Sequence, residues 1–231
     1  MNKILINYAI PLSNRTKEIY RMLRTNIEFT GVENKTIVIT SCSPGDGKST
    51  IAYQLARAMA DADKKTLFID ADMRKSTMSK RLAMEEGLTG LSHILAGQNE
   101  LKEGVYTTNI PNFYVMPPGI FPTNPTELLG KKRFEKIIQE VRSKLDYVII
   151  DTPPIGSVID AAVVAKQCDA SLLVVSANKN SRREEWFATE QMKLANPNLL
   201  GAVLNRAEVK NKGFYGSKYY AYYEGANRKN R

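Results

Sequence analysis

Five short runs of β-branched and aliphatic residues punctuate the chain: TIVIT (36–40), TLFID (66–70), YVII (147–150), SLLVV (171–175) and LLGAVL (199–204). Each is apolar throughout instead of alternating, the pattern of strands covered by helices on both faces. Between them, helical patterns follow Lys48 and occupy about 125–143, 158–167 and 183–195, while FYVM (113–116) is a candidate for a further strand. Strand and helix in alternation predict an α/β fold with a doubly wound, mostly parallel sheet. In such sheets ligands bind beyond the carboxyl ends of the strands, so the residues just after each apolar run are where chemistry is sought.

Ahead of the first run, residues 13–30 read as a helix with Ile19, Met22, Leu23 and Ile27 on one face. Glu18, Arg21 and Arg24 stand at i, i+3 and i+6, a polar stripe about 120° wide. After the last run, apolar periodicity fades and Gly213, Gly216 and Gly225 interrupt any helix. The expected organisation is one domain over 1–205 and a flexible tail over 206–231.

Composition changes this picture in one respect. The chain of 231 residues carries a formal charge of +9, but the excess sits at its ends. Residues 1–36 hold six basic and three acidic groups, residues 206–231 seven and two, and the body between is nearly neutral. That distribution argues against a protein built to bind nucleic acid over its whole surface. Cys42 and Cys168 give neither a disulfide framework nor metal-ligand spacing, so a reducing, cytosolic setting is expected. The start, MNKILINYAI, lacks a signal-peptide cleavage site, and no apolar run reaches the ~18 residues of a membrane span.

The segment Cys42-Ser43-Pro44-Gly45-Asp46-Gly47-Lys48-Ser49-Thr50 follows a strand and opens a helix. That is the context of a phosphate-binding loop: backbone N–H groups curl around phosphate, Lys48 reaches the β and γ phosphates, and Ser49 can ligate Mg²⁺. The strict pattern asks for glycine where Cys42 stands, and the competing reading is a chance Gly-Lys-Ser turn. Two strand-end carboxylate sites weigh against chance: Asp70-Ala71-Asp72 after TLFI, and Asp151-Thr152-Pro153-Pro154 after YVII. Helix capping by aspartate accounts for any one of the three, but not readily for all of them on adjacent elements. If strand geometry persists, Asp70 and Asp72 point to the same side. Asn205, just after the last run, offers a donor and an acceptor that suit a purine edge, and equally suits a strand-end turn.

PGDGKST, FIDADMR and VIIDTPP, in that order, resemble the bacterial protein-tyrosine kinases, or BY-kinases. Glu18-Ile19-Tyr20-Arg21-Met22-Leu23-Arg24 is similar to that family's ExxRxxR subunit-contact motif, and the run from Phe214 to Tyr223 to its carboxyl-terminal tyrosine cluster. The resemblance spans about residues 13–223 and implies a P-loop NTPase fold of the deviant Walker, MinD/ParA-like group. It implies an ATP- and Mg²⁺-dependent kinase in which Gly45, Asp46, Gly47, Lys48, Ser49 and Thr50 bind ATP, with Asn205 at the base. Asp70 would orient or deprotonate the tyrosine, while Ser49, Asp72 and Asp151 serve the metal. The departures are Asp46, where glutamate is commoner, and Cys42. The resemblance further implies regulation of capsular or exopolysaccharide synthesis and export, and a homo-oligomeric ring, an octamer in the family, contacted through Glu18, Arg21 and Arg24. Its other implied partners are a separate transmembrane adaptor that activates the kinase at the inner face of the membrane, and a cognate phosphotyrosine phosphatase.

Five of the eleven tyrosines, Tyr215, Tyr219, Tyr220, Tyr222 and Tyr223, lie in the tail, where ordinary core packing does not explain them. Kinase substrate, stacking surface for nucleic acid and docking strand are the three explanations. Strand-end aspartates and a phosphate loop in the same chain favour the first, with transfer in trans and no nucleic acid. The alternative is a nucleotide-switched positioning ATPase of the MinD/ParA kind. That group carries a signature lysine where Ser43 stands, and gives the tail tyrosines no role. For the stripe, the plain alternative is an intrahelical Glu18–Arg21 pair that leaves Arg24 idle.

Overall fold

The computed structural model describes residues 3–6, 12–82, 87–196 and 198–207. Among these residues the strands are β1 (Lys3–Ile4), β2 (Thr36–Ser41), β3 (Thr66–Asp70), β4 (Tyr106–Thr108), β5 (Phe113–Met116), β6 (Tyr147–Asp151), β7 (Ala170–Ser176) and β8 (Leu199–Asn205). They form one sheet in the order β1-β4-β5-β3-β6-β2-β7-β8. Every neighbouring pair is parallel except β4 and β5. The helices are α1 (Asn14–Glu28), α2 (Lys48–Ala60), α3 (Met78–Arg81), α4 (Leu91–Ala96), α5 (Leu101–Gly104), α6 (Pro125–Leu129), α7 (Lys132–Lys144), α8 (Asp160–Ala165) and α9 (Arg182–Ala195).

The continuous apolar runs occupy the centre of the sheet because both of their faces are covered. Along β2, β3, β6 and β7, alternate residues divide between two cores. Val38, Leu67, Ile69, Val148, Ile150, Leu173 and Val175 pack under α4 and α6–α9, with Phe134 of α7 fully buried among them. Ile37, Ile39, Phe68, Ile149, Leu172 and Val174 pack under α2 and the end of α1. There Tyr53 meets Phe68 and Phe113 edge-on, with ring centroids 6.0 and 5.6 Å apart, a favoured geometry for aromatic quadrupoles.

The structure departs from the sequence reading in several places. Residues 125–143 form two helices: the Gly130 N–H closes α6 onto the Thr126 carbonyl, and extended Lys131 starts α7 in a new direction. The strand at 199–204 is apolar, yet β8 is a sheet edge with a single neighbour, and its Leu204 is 60% exposed. β1, β4 and the short α3, α4 and α5 carried no signal. The antiparallel β4–β5 hairpin is made by a half-polar three-residue strand, and Thr108 pins its turn through the Ile110 N–H and the Phe113 carbonyl. Of the predicted 206–231 tail, all but residues 206–207 lies outside the described residues. No described helix is long and apolar enough to cross a membrane.

At the amino-terminal edge of the sheet, one carboxylate ties three elements together. Asp169, before β7, accepts from the N–H groups of Lys35 (3.1 Å) and Thr36 (2.9 Å), the Thr36 hydroxyl (2.9 Å) and Arg142 Nε of α7 (2.9 Å). Burial pushes its pKa up, but the bonds from Arg142 and Thr36 outweigh that and hold it below the usual carboxylate range. A carboxylate depressed in the fold stabilises it above the unfolded value of ~3.9, and that stabilisation is lost as the pH falls through the folded value. Asp169→Ala is therefore expected to cost about 2–3 kcal/mol at pH 7. In urea unfolding, the deficit should shrink steadily as the pH is lowered below 4; a pH-independent deficit would contradict this account.

Candidate active site

Sheet topology creates the site. β6 lies between β3 and β2, with Asp70 opposite Asp151 in register and Asp151 opposite Ile39. The ends of three adjacent strands thus bring Asp70, Asp151 and the loop after β2 to one edge, where a doubly wound sheet receives its ligand. The loop enters α2 through Gly47 at φ +94°, a left-handed conformation that side chains rarely adopt. A Cβ there would stand 2.2 Å from Asn205 Nδ2, so space also demands glycine.

Lys48 is the centre of the cluster. Its buried ammonium donates to Asp72 Oδ2 (3.1 Å), Asp151 Oδ1 (3.4 Å) and Ser49 Oγ (3.1 Å). Burial disfavours the charged amine, but Asp151, Asp72 and Asp70 together outweigh it and raise its pKa. Strand geometry does not persist from Asp70 to Asp72: β3 ends at Asp70, and a tight turn closes from the Met73 N–H to the Ala71 carbonyl (2.9 Å). The two carboxylates consequently face different partners. Asp72 turns to Lys48 and accepts the Lys75 N–H (3.0 Å), whereas Asp70 accepts the Ser76 hydroxyl and the Asp72 N–H (3.2 Å). Burial, reinforced by Asp151, pushes Asp70 up to about 8. Asp151 is also raised by burial, against the pull of Lys48 and Ser49.

The remaining candidates spread outward from this centre. Thr50 accepts from Arg81 (2.9 Å). The Asp46 carboxylate is fully buried and faces away from Lys48, accepting the Ser43 N–H (2.8 Å), Lys179 Nζ (2.7 Å) and Asn180 Nδ2 (3.1 Å). Asn205 donates to the Asp46 carbonyl (2.8 Å) and accepts the Arg206 N–H (2.9 Å), so both ends of its amide serve loop geometry. Arg21 pairs with Glu18 on exposed helix surface, as the plain alternative expected. Arg24 is not idle: it donates to the Ala58 carbonyl of α2 (3.2 Å). The apolar face of α1 is only half covered, since Ile27 is buried while Ile19 and Met22 are exposed. Tyr215, Tyr219, Tyr220, Tyr222 and Tyr223 lie outside the described residues.

Several contributors had no local signal. Ser76 caps Asp70 from six residues on, and Lys179 and Asn180 reach the loop from the end of β7. Arg74 grips buried Asp160 through Nε (2.7 Å) and a terminal nitrogen (3.1 Å), with Thr126 bonded to both. Arg74 stood within a quoted motif; Asp160 and Thr126 are apparent only in three dimensions. Beside the loop, Cys42, Ser43, Gly156, Arg183, Trp186 and Phe187 line a cavity of about 300 Å³.

A parallel sheet with a glycine-shaped loop after one strand, its lysine among carboxylates at the ends of the next two, defines a P-loop nucleotide-binding protein. The septum site-determining protein MinD of Pyrococcus horikoshii, solved with Mg-ADP, shares this fold at TM-score 0.65 and 24% identity, over 75% of this chain and 72% of its own. Residues 34–183 match the family model described as an AAA domain. Tyrosine-protein kinase CpsD of Streptococcus agalactiae is 40% identical over 215 residues, covering 92% of this chain and 94% of the relative. The kinase domain of the Escherichia coli tyrosine kinase ETK superposes at TM-score 0.77 with 34% identity, over 87% of this chain and 80% of that one. The chain belongs to the bacterial protein-tyrosine kinase family.

Because Asp70 is held above the ordinary carboxylate value, its protonated form is favoured by folding. Stability from this group is full in acid and falls as the pH rises from about 4 towards 8. Asp70→Asn, uncharged at every pH, is expected to raise the melting temperature of the nucleotide-free protein at pH 8 and to do so much less at pH 5. A variant that melts below the native protein at pH 8 would contradict the assignment.

Proposed function

We propose that the chain is an autophosphorylating protein-tyrosine kinase that transfers the γ-phosphate of ATP, in trans, to tyrosines of its own tail. The observation that carries this reading is the convergence of Lys48, Asp70, Asp72 and Asp151 beyond three adjacent strands, in a chain 40% identical to a named tyrosine-protein kinase. The donor set suits a cation: Ser49, Asp72 and Asp151 already surround one, the Lys48 ammonium. Among the described residues no three His, Cys, Asp or Glu side chains are grouped to hold a metal unaided. That accords with Mg²⁺, which retains waters, takes phosphate oxygens and needs only one or two carboxylates.

In this reading the N–H groups of Gly45 to Ser49 and the Lys48 ammonium bind the phosphates, and Ser49, Asp72 and Asp151 hold the ion. When bound, Mg²⁺ would supply positive charge that offsets the negative charge of the phosphates. A tyrosine hydroxyl of solution acidity ~10 is a poor nucleophile at neutral pH. Asp70, poised near the working pH by burial, orients that hydroxyl and takes its proton onto a carboxylate oxygen. Phosphorylation of the tyrosines in 206–231 would reverse the positive charge that this segment carries. Asn205 acts at the loop and beside the base.

The same reading places the kinase in the cytoplasm, at the inner face of the membrane, through a separate transmembrane adaptor that activates it. It regulates capsular or exopolysaccharide synthesis and export, and a cognate phosphatase reverses the modification. A ring of eight copies assembles through α1. The exposed Ile19, Met22, Glu18 and Arg21 support such a contact, with Arg24 anchoring the helix beneath it.

Incubation with Mg-ATP and the activator, followed by mass spectrometry of the tail peptide, should find phosphate on several of the five tail tyrosines. Lys48→Met and Asp72→Ala should abolish it; nucleotide hydrolysis with no tyrosine modified would falsify the kinase reading. For the assembly, Arg21→Ala with Arg24→Ala should lower particle mass in light scattering of the unphosphorylated protein. An unchanged mass at matched concentration would remove α1 as the contact.

A further inference from the structure

We propose that Lys179 is a nucleotide-site residue: its ammonium neutralises the carboxylate of Asp46, which is buried inside the phosphate loop, so that the loop meets polyphosphate without a net negative charge of its own. The inference rests on reading that loop as the ATP site.

Asp46 is an awkward residue for its position. It lies between Gly45 and Gly47, in the stretch whose N–H groups form the anion cradle, and its side chain is completely buried. A buried carboxylate there is close to the place a polyphosphate must occupy, and little water intervenes to screen it. Hydrogen bonds from the Ser43 N–H (2.8 Å) and Asn180 Nδ2 (3.1 Å) satisfy its oxygens but leave its charge intact. Lys179 is the only ion-pair partner of Asp46 among the described residues, 2.7 Å from Oδ1, and the same ammonium also donates to the Pro44 carbonyl; the nearby Glu184 carboxylate, which feels both charges, adds negative potential and relieves none.

The reach from residue 179 to residue 46 follows from the fold. β7 is the neighbour of β2, so the turn after β7 abuts the loop after β2. Asn178 takes a left-handed conformation (φ +58°), and the Lys179 N–H closes back on the Ser176 carbonyl (3.3 Å). The ammonium ends 3.6 Å from where a Gly45 Cβ would stand, along the rim of the loop. A brace needs only the hydrogen bonds; a neutraliser needs the charge. The two roles separate when Asp46 is changed together with Lys179.

The experiment measures ATP, ADP and AMP binding to the full chain for the native protein, K179M, D46N and the double variant. K179M leaves the loop anion unpaired and should weaken ADP binding about tenfold or more, with the loss growing from AMP to ATP. D46N removes the anion and should bind ADP more tightly than the native chain. The double variant should recover at least about fivefold of the affinity lost in K179M, because no uncompensated anion remains. K179M binding ADP as the native chain does, or a double variant as weak as K179M, overturns the proposal. Should K179M fail to fold, D46N decides alone: binding weaker than native overturns it. A native chain that binds none of the three nucleotides would sink the underlying site reading as well, whereas nucleotide binding without these differences sinks only this inference.

Discussion

Three buried carboxylates around one buried ammonium are the constraint on which this structure turns. Asp70, Asp72 and Asp151 are each nearly inaccessible to water, and among the described residues only the Lys48 ammonium forms an ion pair with any of them. Removing charges from water is unfavourable unless they are paired and hydrogen-bonded, and here the compensation is incomplete. The shortfall falls on Asp70, whose carboxyl is driven up towards neutrality and rests on a serine hydroxyl instead of the lysine. A fold selected for stability alone would replace such a cluster with aliphatic side chains. Its retention at the end of an otherwise apolar sheet fits a site organised to handle phosphate charge and a proton.

The rest of the architecture delivers these groups to one point. Because the sheet order interposes β6 between β3 and β2, residues separated by up to 103 positions in sequence become neighbours without any long loop being ordered. Each central strand divides its side chains between two helical layers, so strand register is set on both faces. A slip of one residue would exchange the two cores and also carry Asp70 or Asp151 away from Lys48. Packing and site geometry are therefore two readings of the same register.

This linkage explains which features were legible in the sequence. Asp70 and Asp151 stand directly at the ends of continuous apolar runs, Lys48 and Ser49 close the glycine-containing loop that follows another, and the runs themselves are what strand burial requires. The β4 strand was not legible because three half-polar residues, Tyr106 to Thr108, make no periodic pattern; a neighbouring strand and a threonine-pinned turn hold it in the sheet. The break at Gly130 was hidden because α6 and α7 are both amphipathic, and only their packing against different neighbours shows a change of direction. Asp72 was found but misdirected, since a turn after Asp70 replaces the strand geometry that would have aligned the two. Lys179, Asn180 and Asp160 escaped because their partners are 133, 134 and 86 residues away, and no local spacing encodes such contacts.

The pairing of Lys48 with Asp72 and Asp151 also bears on how the site changes occupants. An ammonium already seated among these oxygens acts as an internal counterion, so the carboxylates are not a raw cluster of anions awaiting rescue. If Lys48 binds the phosphates as proposed, entry of a metal–nucleotide complex would resemble ion exchange on a resin, with the lysine passing from the carboxylates to the phosphates.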